Sequence, residues 1–111
     1  MILTREFNLN VLPGSTPLLI RASKKDNSSR LVFFLFTGVG VLDIPAGTSA
    51  MFRGSAIQSP ARFSIVRAIP RVTVDLTAGM TSEAGRIPFE IVLTNGTCKL
   101  VTATLFLDIR G

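Results

Sequence analysis

The sequence lacks several residues on which enzymes and binding proteins commonly depend. Its 111 residues include no histidine, tryptophan or tyrosine, and all eight aromatic residues are phenylalanine. Without histidine there is no Ser-His-Asp triad, no Cys-His pair and no imidazole ligand for a metal. Sugar-binding sites favour Trp and Tyr, because these rings combine an apolar face with a polar group. The absences therefore argue against histidine-dependent catalysis and against carbohydrate recognition.

Cysteine and acidic residues are also scarce. The single cysteine, Cys98, excludes an internal disulfide and a cysteine-based zinc cluster, and we expect it to be a small buried apolar residue. None of the seven carboxylates lies within two positions of another, so no local D-x-D or D-x-E metal motif is present. We therefore predict that the protein is not an enzyme, with no catalytic residue, no metal site and no cofactor.

Charge is unbalanced toward the basic side. Twelve Lys and Arg residues outweigh seven Asp and Glu residues, which gives a formal net charge of +5. Proteins that bind single-stranded nucleic acid usually combine such charge with aromatic stacking platforms, whereas the phenylalanines here lie in apolar runs. The charge therefore favours an acidic protein partner. An alternative function, from a different class, is that of a small nucleic-acid-binding β-barrel module. One local cluster forms a candidate basic patch: Arg21, Lys24, Lys25 and Arg30.

Hydrophobic residues, 47% of the chain, occur in short runs. Polar and apolar residues alternate in segments 6–11, 71–76 and 99–109, the period-two pattern of β-strands. Leu31–Phe36 is apolar on both faces, which indicates a central strand covered on both sides. Asn95-Gly96 lies between two apolar runs, which is a strong hairpin signal.

The fold predicted from these patterns is all-β. We expect an immunoglobulin-like antiparallel β-sandwich of about seven to eight strands, and a small barrel is the alternative closure. The segment Thr77–Ala84, with Gly85 as its stop, predicts one short helical crossover near 77–85. We divide the single domain into an N-terminal strand or arm, 1–17, and a β-sandwich, 18–111. The sequence shows no signal peptide and no apolar run long enough to cross a membrane.

The chain has more apolar surface than one thin core requires. The apolar start Met1–Leu3 and the two-faced run Leu31–Phe36 suggest surface that is buried in an assembly. The alternative is one thick core that uses all of this surface. The candidate interface residues are Ile2, Leu3, Phe7, Phe34 and Phe36.

Several turn and strand signatures follow one another along the chain in a characteristic order. In chain order they are Lys25 to Leu31 before an apolar strand, Leu42 to Thr48 leading into Met51-Phe52-Arg53-Gly54, Val72 to Thr77, Met80, Ala84-Gly85, Phe89-Glu90-Ile91, and the closing strand Leu100 to Ile109. This order resembles the N-terminal domain of upper baseplate proteins (the BppU type) of siphophages that infect Gram-positive bacteria. The resemblance covers roughly residues 20–110.

The resemblance implies an immunoglobulin-like adaptor that docks on the tail or baseplate hub and carries receptor-binding or fibre modules. It carries over no catalytic residue. Two features depart from the family pattern: this chain stops at Gly111, where the family domain continues, and Met1–Pro17 adds an N-terminal strand or arm. Both features suit a compact virion component present in many copies, so a head-decoration or head-fibre anchoring protein is the alternative.

The expected function is therefore that of a non-enzymatic bacteriophage virion protein. Its expected partners are other virion proteins, namely baseplate, tail or capsid subunits, and further copies of itself. No small-molecule substrate and no membrane are expected, and nucleic acid is disfavoured. The expected location is the virion, after assembly in the host cell cytoplasm.

Overall fold

The part of the chain that the structure describes contains nine β-strands. The structure is a computed structural model, and it describes residues 1–12, 15–38, 42–54, 57–102 and 104–111. The predicted all-β class is confirmed. The strands are β1 (Leu3–Asn10), β2 (Leu19–Ser23), β3 (Ser29–Phe36), β4 (Ser49–Gly54), β5 (Gln58–Val66), β6 (Ile69–Asp75), β7 (Gly85–Asn95), β8 (Cys98–Val101) and β9 (Leu105–Arg110).

All nine strands belong to one mixed sheet, which curls into a half-barrel. The strand order is β1-β3-β6-β5-β4-β7-β9-β2, and β8 pairs with β7 outside this path. The β1–β3 and β2–β9 pairs are parallel, and the other pairs are antiparallel. The sheet is therefore neither fully antiparallel nor clearly the pair of facing sheets that an immunoglobulin-like sandwich has. It also has one strand more than the upper predicted number.

One long strand explains why the sheet is continuous. Residues 58–61 of β5 pair with β4, and residues 62–66 of the same strand pair with β6. The strand thus leaves one wing of the sheet and enters the other without a break. Alternating polarity indicates which residues form a strand, but it does not show that a strand is shared between two wings.

A stack of phenylalanine rings fills the interior of the half-barrel. Phe7 stacks on Phe33, Phe33 on Phe52, and Phe52 on Phe89, with ring centroids 5.7, 6.3 and 4.5 Å apart. Phe33, Phe52 and Phe89 are buried. Burying each such ring contributes about 1.5–3 kcal/mol. Aliphatic side chains from both wings surround the stack: Ile20, Leu31, Val72, Val74, Ile91, Leu105, Leu107 and Ile109.

The predicted helical crossover near 77–85 is wrong, because this segment forms turns and none of the described residues is helical. The Met80 N–H donates to the Thr77 carbonyl at 3.1 Å, and the Thr81 hydroxyl donates to the same carbonyl at 3.2 Å. The Thr81 hydroxyl also lies 3.0 Å from the Asp26 carbonyl, which ties the segment to the β2–β3 turn. Threonine side chains compete in this way with the helical ladder. Gly79 and the short length add to the cost of starting a helix.

The predicted hairpin is present, one residue later than its signal. Asn95 pairs with Cys98, so the turn residues are Gly96 and Thr97, with Gly96 at a φ of +59°. Cys98 is exposed beside this turn, so the expectation that it is buried is wrong.

The segment after the hairpin divides into β8 and β9, although one run over 99–109 was expected. The Ile91 N–H donates to the Thr102 hydroxyl at 3.0 Å, and the Thr102 N–H donates to the Ile91 carbonyl at 3.0 Å. The hydroxyl thus takes the place of a backbone acceptor where the strand is interrupted. Ala103, within the predicted alternating segment 99–109, lies outside the described residues.

Candidate protein-docking face

The outward side of strands β1, β3, β6 and β5 presents a continuous surface of alternate side chains. Register places Asp75 beside Arg30 and Arg71 beside Phe34 across the β3–β6 pair. We call this surface the β3–β6 outer face. The side chains that characterise it are Arg30, Phe34, Phe36, Arg62, Val66, Ile69, Arg71 and Asp75.

One end of the β3–β6 outer face is apolar. Phe36, Val66 and Ile69 are 43%, 38% and 47% exposed, and Phe34 is half-buried. An open groove of about 710 Å³ lies at this end, lined in part by Phe34, Phe36 and Ile69. A contiguous patch of large apolar side chains on a surface is typical of a protein interaction site.

The other end of the same face is basic. The Arg30 Nε donates to Asp75 Oδ1 at 2.8 Å, and the Arg62 Nη1 lies 3.3 Å from Asp75 Oδ2. The Arg71 Nε donates to the Ser64 hydroxyl at 3.1 Å. Within the described ranges, Arg71 has no carboxylate partner. A second groove, of about 690 Å³, lies among these arginines.

Asp75 is the carboxylate that two arginines share. The hydrogen bond from Arg30 is the main reason why the pKa of Asp75 lies below its usual value of 3.8, and Arg62 lowers this pKa further. The same hydrogen bond raises the pKa of Arg30. One negative charge therefore serves two guanidinium groups, which leaves the basic end of the face positively charged.

The turn beside the apolar end has an unfavourable backbone. Arg67 and Ala68 connect β5 to β6, and both have positive φ angles, +53° and +63°. Two-residue hairpin turns of this kind normally use Asn-Gly, because a Cβ disfavours the left-handed region. The turn places Val66 beside Ile69 in the ladder. Backbone strain of this kind is concentrated at functional sites.

The five candidate interface residues do not lie on one surface. Ile2 and Leu3 are 56% and 60% exposed at the start of β1. Phe34 and Phe36 lie at the opposite end of the β1–β3 pair, where Asn8 and Asn10 are their neighbours. Phe7 points inward and stacks on Phe33. Of the five residues, therefore, only Phe34 and Phe36 lie at the apolar end of the β3–β6 outer face.

The candidate basic patch is divided among several elements. Arg30 belongs to β3 and pairs with Asp75. Arg21 lies beside Asp108 in the β2–β9 pair. The pKa of Asp108 is lowered chiefly by its hydrogen bond with Arg110, with smaller contributions from Arg86 and Arg21. The remaining members, Lys24 and Lys25, are exposed in the turn after β2.

Sequence reasoning missed Arg62 and Arg71 as members of a basic cluster. They approach each other only because β5 and β6 form a hairpin, in which Ser64 lies beside Arg71. The turn of this hairpin contains neither Gly nor Asn, so it has no sequence signal of the usual type.

The described part of the chain has no helix that is long and apolar enough to cross a membrane. Nor do three or more Cys, Asp or Glu side chains in these ranges come together in a group that could hold a metal ion.

Comparison with known proteins supports the fold assignment. No protein-family model and no curated protein matches the chain. Among solved structures, it matches the N-terminal domain of phage TP901-1 ORF48, a BppU upper baseplate protein, with a TM-score of 0.72 and 12% sequence identity. The match covers 99% of this chain and 100% of that chain, so it includes β1. The predicted resemblance is confirmed at the level of fold: the chain folds like the N-terminal domain of a phage baseplate protein.

Proposed function

We propose that this chain is a non-enzymatic structural protein of a bacteriophage particle, an adaptor domain that attaches to the tail baseplate or to another part of the virion. The observation that carries the proposal is the full-length fold similarity to a baseplate domain. Because one fold can serve many functions, the surface must support the proposal as well. The exposed apolar residues of this chain do so, since an isolated soluble domain has little use for them.

The proposed contacts lie in two places. Phe34 and Phe36 contribute the apolar end of the β3–β6 outer face, and Ile2 and Leu3 are exposed at the start of β1. In this proposal Phe7 supports β1 from the interior by stacking on Phe33. β1 is at one end of the strand order, and no described strand pairs with its outer edge, so this edge can also accept a strand from a neighbouring subunit.

The proposal is tested by locating the chain in purified particles. Antibodies raised against the full chain are used for immunogold labelling of particles of the phage that encodes it. Label at the tail tip is the expected result. Label on the head would favour the head-decoration or head-fibre alternative, and particles free of the protein by labelling and mass spectrometry would overturn the virion assignment.

Self-association is tested separately, by size-exclusion chromatography with light scattering over a range of concentrations. A concentration-dependent rise in mass is expected if copies contact one another through Ile2 and Leu3. The Leu3→Ser variant then shows a smaller rise than the wild type. A strict monomer at high concentration would remove self-association and leave attachment to other virion proteins.

The basic groove among Arg30, Arg62 and Arg71 is the observation that favours nucleic-acid binding as a second candidate. Binding of short single-stranded DNA, measured by fluorescence anisotropy, discriminates between the two. A nucleic-acid module binds with an affinity that falls steeply with salt, because binding releases counterions. Negligible binding at low salt eliminates this candidate.

A further inference from the structure

We propose that the β3–β6 outer face binds an acidic segment of another virion protein, one in which carboxylates lie next to a large apolar side chain. The inference rests on the proposed function and adds the chemistry of the partner to it. It also assigns the contact to a defined surface, with a basic end and an apolar end in register.

The charge on this face favours a negative partner. Four arginines, Arg30, Arg62, Arg67 and Arg71, belong to the face or to its turn, against the carboxylates of Glu6 and Asp75. Arg30 and Arg62 share Asp75, whereas Arg67 and Arg71 have no carboxylate partner among the described residues. A partner segment that brings carboxylates would complete these ion pairs.

Arg71 is the best placed of the four to recognise a carboxylate. It is half-buried, and its Nε is held by the Ser64 hydroxyl at 3.1 Å, which orients the guanidinium. Within the described residues its two Nη groups donate no hydrogen bond. An oriented guanidinium with free donors can bind a carboxylate with good geometry. Partial burial strengthens this contact, because water screens it less.

The apolar groove begins beside Arg71. Arg71 lies directly beside Phe34 in the β3–β6 ladder, and Phe34 lines the groove together with Phe36 and Ile69. A carboxylate on Arg71 therefore places the next part of a bound segment over the apolar groove. The strained turn at Arg67 and Ala68 keeps Ile69 at the edge of this groove.

The same features argue against two other occupants. A second copy docked face to face would form a two-fold interface, in which the same patch meets itself. Arginine would then face arginine, in a chain that already carries a net charge of +5. A nucleic-acid strand would pair with the arginines and could reach the ring of Phe36, which is 43% exposed. Phe34 is half-buried, and Val66 and Ile69 are aliphatic, so the face lacks the series of open rings on which successive bases stack.

The test is peptide selection on the intact protein, followed by binding measurements. A library of random displayed peptides is selected on the immobilised full chain, and the enriched peptides are synthesised and titrated by calorimetry. We expect enrichment of Asp and Glu next to Leu, Ile or Phe, and weaker binding at high salt.

Matched variants then locate the site. We expect Arg71→Glu to weaken binding of the selected peptide by at least about tenfold. Lys99→Glu makes the same charge change at an exposed position on β8, outside this face, and is expected to leave binding within about twofold. Ile69→Ser weakens binding, whereas Met51→Ser, at an exposed apolar side chain on β4, does not. Thermal melting of each variant verifies that it is folded.

Three results would overturn the proposal: selection that yields no binder, enriched peptides without acidic residues, or equal losses in Arg71→Glu and Lys99→Glu. Displacement of the selected peptide by short single-stranded DNA, but not by a second acidic peptide, would overturn it as well. Immunogold labelling tests the proposed function independently. Labelled particles together with a failed selection remove this inference alone, whereas unlabelled particles remove the virion role and leave the measured peptide binding intact.

Discussion

The ring of Phe33 in β3 stacks on the ring of Phe52 in β4, with centroids 6.3 Å apart and an angle of 20° between the ring planes. These strands are not neighbours, because β6 and β5 lie between them in the sheet. The contact therefore crosses the interior and joins the two wings of the half-barrel. Both side chains are completely buried.

Truncation of this contact is expected to destabilise the protein strongly. Phe33→Ala removes a buried ring and leaves a cavity between the wings, at a cost of about 3–5 kcal/mol in the free energy of unfolding. Phe36→Ala, on the same strand but 43% exposed, is expected to cost less than about 1 kcal/mol. Urea unfolding of both variants measures the difference. Similar losses in the two variants would contradict the assignment of Phe33 to the core and Phe36 to the surface.

A second prediction concerns the close approach of Gly54 to Phe89. A Cβ added at Gly54 would lie 2.8 Å from the Phe89 Cε1. The ring is buried and stacks on Phe52 at 4.5 Å, so it has little room to move. We expect Gly54→Ala to lower the free energy of unfolding by about 1–3 kcal/mol.

The matched control for this substitution is Gly38→Ala. A Cβ at Gly38 would lie 3.8 Å from the Asn10 Nδ2, an ordinary contact, and its backbone does not require glycine. Its stability should change by no more than about 0.5 kcal/mol. If Gly54→Ala is as stable as Gly38→Ala in urea unfolding, the Phe89 ring is free to shift and is not held tightly between Gly54 and Phe52.

Local patterns predicted the strands well because alternation is a property of each segment. Segments 6–11 and 71–76 overlap β1 and β6, although these strands begin three and two residues earlier than the segments and end one residue earlier. The alternation did not predict how these strands pair. The parallel register of β1 on β3 and the shared strand β5 depend on contacts between distant segments, which no local period encodes.

The candidate site was predictable only in part. The two-faced run Leu31–Phe36 indicated that β3 carries apolar residues outward, and Phe34 and Phe36 do line an open groove. The basic end was not predictable. Arg62 and Arg71 lie apart in the sequence, and their neighbourhood depends on a turn at Arg67 and Ala68 that lacks the usual residues. The local charges in the sequence therefore predicted a different cluster, the candidate basic patch.

The third prediction concerns the β2–β3 turn, which Asp26 holds together. Its Oδ1 accepts the N–H groups of Ser28 and Ser29 at 3.0 and 3.1 Å, and its Oδ2 accepts the Ser29 hydroxyl at 2.7 Å. Asp26→Ala leaves these donors without their partner, which should cost about 1–3 kcal/mol at neutral pH. Asp43→Ala is the control, because Asp43 is exposed and makes no hydrogen bond to the described residues. Its free energy of unfolding, measured in urea, should change by no more than about 0.5 kcal/mol.

The same turn predicts a loss of stability in acid. Burial alone would raise the pKa of Asp26, but the three hydrogen bonds from Ser28 and Ser29 outweigh it, and the pKa falls below the usual 3.8. A carboxyl whose pKa is lower in the folded state stabilises the protein above its unfolded pKa, and this contribution disappears as the pH falls through the folded pKa. Urea unfolding should therefore show that, between neutral pH and a pH below 3.8, the free energy of unfolding falls less in Asp26→Ala than in the wild type. An identical acid loss would contradict this role.

The fifth prediction is that Ala68→Gly stabilises the protein. Ala68 has a φ of +63°, a left-handed conformation that costs an alanine about 1–2 kcal/mol and glycine almost nothing. Glycine also makes the unfolded chain more flexible, which lowers the stability by about 0.5–1 kcal/mol. The free energy of unfolding should therefore rise by a net amount of about 0.5–1 kcal/mol.

The control for this gain is Ala61→Gly in β5, at a position that pairs with Ala50 and has no positive φ. Here glycine brings only its entropic cost and the loss of a methyl group that packs against the core, so stability should fall by about 1 kcal/mol. Opposite signs for the two substitutions in urea unfolding establish the strained turn. If both destabilise, the chain has no left-handed turn at Ala68, and the placement of Ile69 beside Val66 at the apolar end of the β3–β6 outer face fails with it.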